Sequence, residues 1–241
     1  MYCRLFLIVF LLGSYINAQS VGLFFVQYDY KELNISPLKS TESGLLPGVH
    51  YTVTNPLQNT GLAFEYEGSY ASGKLKYDGT DGLGEPIIAH KTHTFYDLGA
   101  NVHVPLYKND TVSSVLKIGL KYNAWDRNLE GDILENYTWW TAPISLLFQR
   151  KINTQCALSC EATALCILNA RMTYSDKSRE EKIDLEQKPG YIIAGTLSYQ
   201  NLSLTPWVQF YQFGMGATKD LAEPDSRTYN YGILLKINMP I

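Results

Sequence analysis

The side chains that chemistry would draw on are few. Histidines stand at His50, His90, His93 and His103, with carboxylates at Glu65, Glu67 and Asp97 and a hydroxyl at Ser69. His90 and His93 are three residues apart, which suggests a metal pair. On a strand or in a loop, however, such side chains point to opposite faces. No third ligand of fitting spacing accompanies them, and they read as part of a solvated loop. A hydrolase needs a nucleophile or an activated water beside a base. Glu65, Glu67, Asp97 and His103 share a parity that lets them converge inside a barrel, but in mid-strand and not at a rim, so structural charge pairing is expected of them. Ser69 with His103 is a match of parity alone.

Cys156, Cys160 and Cys166 lie in one short segment with even spacing. On a strand that spacing puts all three on one face, too far apart to bridge one another and unable to wrap one ion. They read as small apolar surface residues. Gly79, Gly82 and Gly84 precede no helical pattern, so they do not make a phosphate cradle. No catalytic, cofactor-binding or metal-ligating residue is therefore expected.

The elements that would position these groups follow a period of two. In 112–126, Leu116, Ile118, Leu120 and Tyr122 alternate with Val115, Lys117, Gly119, Lys121 and Asn123. In 91–107, Tyr96, Leu98, Ala100, Val102, Val104 and Leu106 oppose Asp97, Gly99, Asn101 and His103. Leu62, Phe64, Tyr66 and Tyr70 oppose Glu65, Glu67 and Ser69, and the last segment carries Tyr229, Tyr231, Ile233, Leu235, Ile237, Met239 and Ile241 on one face. Ten segments emerge: 21–32, 44–54, 61–77, 91–107, 112–128, 136–151, 155–171, 187–200, 202–213 and 226–241. Most match or exceed the ~9–11 residues of a tilted strand that crosses a bilayer. Short links (55–60, 108–111, 152–154 and around Asn201) alternate with long polar ones (33–43, 78–90, 129–135, 172–186 and 214–225), the asymmetry of tight periplasmic turns and longer external loops. The 172–186 link, with Asp176, Lys177, Arg179, Glu180, Glu181 and Lys182, reads as solvated; a charged amphipathic helix is the alternative.

The expected fold is an all-β, antiparallel up-and-down transmembrane barrel of about ten strands, with eight as the alternative. Composition agrees. Charged residues are 18% of the chain, below the ~25% of soluble domains. Mean hydropathy of −0.13 argues against a helical membrane protein and suits a barrel, which hides its apolar face by alternation. A net charge of −3 offers no basic stripe for nucleic acid. Tyr28 with Tyr30, Tyr137 with Trp139 and Trp140, Tyr211 with Phe213, and Tyr229 with Tyr231 cluster at strand ends, as an interfacial aromatic girdle would. The inward list of Glu65, Glu67, Asp97, His103, Lys117, Lys121 and Glu161 predicts a charge-paired plug. At the N-terminus, Arg4, the apolar run Leu5–Leu12, the break at Gly13 and Ser14, and Ala18 as a small residue form a signal-peptide pattern. This gives a signal peptide over 1–18 and a barrel over 19–241.

Phe64-Glu65-Tyr66-Glu67-Gly68-Ser69-Tyr70 and Gly73-Lys74-Leu75-Lys76-Tyr77-Asp78-Gly79 resemble an acidic strand and loop entry found in a group of small proteobacterial outer-membrane β-barrel proteins. Glu42-Ser43-Gly44-Leu45-Leu46-Pro47-Gly48, Gly119-Leu120-Lys121-Tyr122 and Tyr231-Gly232-Ile233 are similar to other parts of that group. Ile241 departs from it, since such barrels usually end in Phe. The resemblance implies a barrel in the bacterial outer membrane and no particular activity. The expected role is structural or surface-interacting, with external loops contacting ligand, lipid or host. A small solute channel and a rim hydrolase (a protease or a lipid-A-modifying enzyme) are the alternatives. Expected partners are outer-membrane lipid, lipopolysaccharide and the barrel assembly machinery, with no nucleic acid.

Overall fold

The computed structural model describes residues 18–34, 38–80, 84–128, 133–219 and 221–240. The predicted signal peptide, apart from Ala18, and the apolar terminal Ile241 lie outside the described residues. Every regular element described is a strand: β1 (Ala18–Glu32), β2 (Ser40–Pro56), β3 (Ala63–Thr80), β4 (Pro86–Lys108), β5 (Val112–Asn128), β6 (Leu134–Lys151), β7 (Cys156–Ser175), β8 (Glu180–Asp184), β9 (Gly190–Tyr199), β10 (Leu202–Phe213), β11 (Gly216–Ala217), β12 (Ala222–Glu223) and β13 (Ser226–Pro240). Ten of them pair antiparallel with their neighbours, and β1 with β13 closes the ring. β8 extends the sheet at the outer end of β7, and β11 and β12 form a separate ribbon. Closure leaves no lipid-exposed edge with unpaired N–H and C=O groups. The fold is thus the ten-strand barrel expected, not the eight-strand one.

The short links turn tightly because their side chains satisfy the backbone. Asn109 Oδ1 accepts from the N–H of Thr111 (2.9 Å) and of Val112 (2.7 Å). Asn153 Oδ1 accepts from Gln155 and Cys156, each at 2.8 Å. Asn59 and Gly61 take positive φ in the β2–β3 turn, a conformation these two residues adopt readily. The long connections gather at the opposite end, the external one in barrels of this kind.

The outer face is apolar. Leu23, Phe25, Ile193, Ile233 and Leu235 are half or more exposed, and Cys160 and Cys166 also face outward. On β13 the outward apolar run goes from Tyr229 to Met239. Those ten or so steps rise roughly 25 Å at the usual tilt, the height of a lipid-facing band. Above it the strands continue as a collar.

Three expectations change at the external end. The 172–186 link is paired strand over much of its length, not loop or helix, although Lys177, Arg179, Glu180 and Lys182 are exposed as expected. β7 runs on to Ser175 and pairs with β8, burying Met172, Ile183 and Leu185. His90 and His93 lie on β4, not in a loop, with His90 exposed and His93 fully buried. Tyr28, Tyr30, Tyr137, Trp139, Tyr211 and Phe213 are buried inside the barrel and form its core, not a girdle. Trp140, Tyr229 and Tyr231 do face outward. A register shift between Thr138 and Trp140 places the extra residue on β7, where the inward parity passes from Leu165 and Ile167 to Ala170 and Met172.

Candidate functional site

Two layers of inward side chains fill the lumen, with a cavity between them. The lower layer comes from β3, β4, β5 and β7. Lys117 Nζ stands 3.0 Å from Glu65 and 3.3 Å from Glu161. Lys121 Nζ stands 2.8 Å from Glu67 and 3.3 Å from Asp97. His103 Nε2 approaches Glu65 at 3.4 Å, and Asn101 donates to the same carboxylate at 3.2 Å. The whole predicted inward set is thus brought together as alternating charges. The register explains how long side chains fit. Gly99 lies between Glu67 and Lys121 on the neighbouring strands, and a Cβ at Gly119 would clash with Asn101 Oδ1 and meet the Ala100 carbonyl at 2.6 Å. Ser69 is not aimed at His103; it donates to Asp97.

The upper layer lies in the collar and centres on Arg127. Its Nη2 is 2.9 Å from Glu42, and its Nη1 is 2.6 Å from Glu135 and donates to Tyr137 at 3.0 Å. The guanidinium also lies 5.1 Å from the Tyr30 ring centroid and 5.2 Å from that of Trp125, within cation–π range. Trp125 stacks on Tyr137 at 4.7 Å and on Phe95 at 5.3 Å. Its indole N–H donates to His93 Nδ1 at 3.0 Å. In the neutral imidazole the proton must then sit on Nε2, which faces Glu42 at 3.5 Å.

Glu223 enters from the β10–β13 connection. It accepts from Tyr137 at 2.6 Å and from Tyr30 at 3.4 Å. Burial, and then the neighbouring Glu135 carboxylate, push its carboxyl up to about 8. One arginine here faces Glu32, Glu42, Glu135 and Glu223, so a neutral Glu223 is the arrangement that the surroundings favour.

Between the layers is a cavity of about 350 Å³, lined by Phe24, Tyr28 and Phe95 towards the collar and by Lys117, Glu161 and Lys236 below. Thr52, Glu65 and Lys236 border both it and a vestibule at the short-turn end. Above it, Leu46, Leu75, His93, Trp125, Tyr28 and Tyr137 are at most 1% exposed, so this side is packed solid.

Parity points to Arg127, the next inward position after Lys117, Lys121, Asn123 and Trp125 on β5. Glu42 opens the stretch Glu42–Gly48 without a periodic partner to mark it. Glu223 carries no strand signal at all.

No protein-family model and no curated protein matches the chain. Solved structures do. The outer membrane protease OmpT from Escherichia coli aligns with a TM-score of 0.59 at 9% identity, covering 95% of this chain and 98% of OmpT. The transport unit of the autotransporter AIDA-I from Escherichia coli aligns with a TM-score of 0.53 at 12% identity, covering 90% of each chain. Likeness at such identity speaks of architecture and leaves their roles with those proteins. The chain has the closed antiparallel fold of the outer-membrane β-barrels.

Proposed function

We propose that this chain is an outer-membrane barrel with a sealed lumen, acting at the cell surface through its collar and external connections and without enzymatic activity. The observation that carries this is the packed layer around Trp125, Tyr137 and Arg127, which closes the external side of the cavity. A through-channel needs a continuous wet path, and the fully buried aromatic rings among the described residues speak against one. The His and carboxylate groups of the lower layer are engaged in mutual ion pairs, which supports a structural duty for them. Contacts with ligand, lipid or host then fall to the collar, with lipopolysaccharide and outer-leaflet lipid around it. The test is single-channel recording in planar bilayers on protein whose folding is confirmed by a heat-dependent gel shift. Silent insertions are expected. Steady ohmic steps from the native chain would replace this reading with that of a small solute channel.

A further inference from the structure

The collar's outer surface is electrically lopsided. Lys31 on β1 stands directly opposite Arg227 on β13. Lys76 on β3 stands directly opposite His90 on β4, and Lys74 follows on the same face of β3. Lys31, Lys74, Lys76 and His90 are exposed, and Arg227 is half-buried. Like charges directly opposite on an antiparallel pair are destabilising, yet the described residues supply no ion pair to Lys31, Lys74, Lys76 or Arg227. The carboxylates described beside this face are engaged elsewhere: Asp29 accepts from Gln27 at 3.1 Å, Asp78 is held by Lys39 at 2.9 Å, and Asp225 by Lys188 at 3.3 Å. Across the barrel the cations are paired locally, Arg171 with Asp184 at 2.8 Å and Lys182 with Glu180 at 3.1 Å. The unpaired group is therefore a property of one side, β13–β1–β2–β3–β4.

Its height identifies the occupant. Arg227 is the outward residue next above Tyr229, where the apolar run of β13 ends. Lys74 is the second outward residue beyond Tyr70, the last exposed aromatic on β3. At roughly 3.3 Å per residue and ordinary tilt, these ammonium and guanidinium groups stand about 5–15 Å above the apolar band, within reach of the headgroup layer once long side chains bend towards it. A soluble polyanion would gain nothing from that proximity, whereas a lipid phosphate arrives there by partitioning.

Given the outer-membrane reading above, we propose that the face bearing Lys31, Arg227, Lys74 and Lys76 binds the phosphate groups of an anionic lipid in the external leaflet. Each basic side chain near such a surface is worth about 1 kcal/mol, so removing two charges weakens binding by about thirtyfold.

The test uses the full mature barrel folded into vesicles of phosphatidylcholine alone, and of phosphatidylcholine doped with either diphosphoryl lipid A or its dephosphorylated form. Diphosphoryl lipid A should raise the temperature at which the gel shift is lost, and the dephosphorylated form should not. K74Q/K76Q and K31Q/R227Q should each lose most of that rise, while K182Q, on the opposite side, keeps it. All three variants should still fold in phosphatidylcholine alone. Equal protection of native and variant barrels, or protection by the dephosphorylated lipid, overturns the lipid site. Tight binding of a soluble sulfated polysaccharide without phosphate dependence also overturns it, and assigns the face to a polyanion. Absence of a gel shift in every vesicle fails the membrane reading itself, a different outcome from a shift that ignores phosphate.

Discussion

The two filled layers of the lumen solve the same problem in opposite ways. In the lower layer Lys117 and Lys121 each sit between two carboxylates, beside a cavity of about 350 Å³ that Lys236 also lines. The upper layer is packed dry by buried aromatic rings, with Arg127 among Glu32, Glu42 and Glu135 and with Glu223 close by. A wet layer tolerates an imperfect pair because water can solvate what is left over. A dry layer cannot, so it depends on Arg127, with Lys91 near the same acids, and on keeping one acid protonated.

Removing Arg127 should break that contrast most severely. R127A leaves buried carboxylates without their cation, and a loss of about 3–5 kcal/mol is expected in urea unfolding of the vesicle-folded barrel. R127K should recover only part, because an ammonium lacks the fork that reaches Glu42 and Glu135 together. An unchanged R127A midpoint would mean that the upper layer is not the stabilising cap described.

K121M comes next. It strands Glu67 and Asp97, but next to a cavity that admits water. A loss of about 1–2 kcal/mol is expected, clearly below that of R127A. Equal losses would erase the distinction between a wet and a dry layer.

The smallest effect is a pH dependence. Glu223 is raised from the ordinary 4.5 to about 8. The stability tied to its protonated form is therefore full below pH 4.5 and is lost as pH rises through about 8. E223Q keeps a neutral side chain there, so the difference between native and E223Q midpoints should change across that window and level off on either side. A difference that stays constant from pH 4.5 to 9 would show that Glu223 is not the titrating acid of the cap.

Much of this was legible without coordinates. Strand parity placed Glu65, Glu67, Asp97, Lys117, Lys121, His103 and Glu161 together, since residues of one parity on adjacent strands must share a face. The same rule carried one step further reaches Arg127. It failed for the aromatic clusters. Tyr28, Tyr30, Tyr137 and Tyr211 suit a girdle by composition, but their parity is that of the lumen, and composition does not distinguish the two faces at a strand end. It failed again for His93 and for 172–186, because the strands outlast the lipid band and the collar buries what reads as loop.

The chain's period of two, its alternation of short and long links and its low charge by themselves determined a closed barrel with an apolar exterior and a charge-lined interior, because each is a local consequence of a strand facing lipid on one side. Only the tertiary structure decided how the described residues of the external end pack. That packing needs Glu42, Arg127, Glu135 and Glu223 from four separate stretches of chain to meet. Parity can place Arg127 and Glu135 inside, but which acids they meet, and Glu223 above all, is set by register and by where a connection folds back over the barrel mouth.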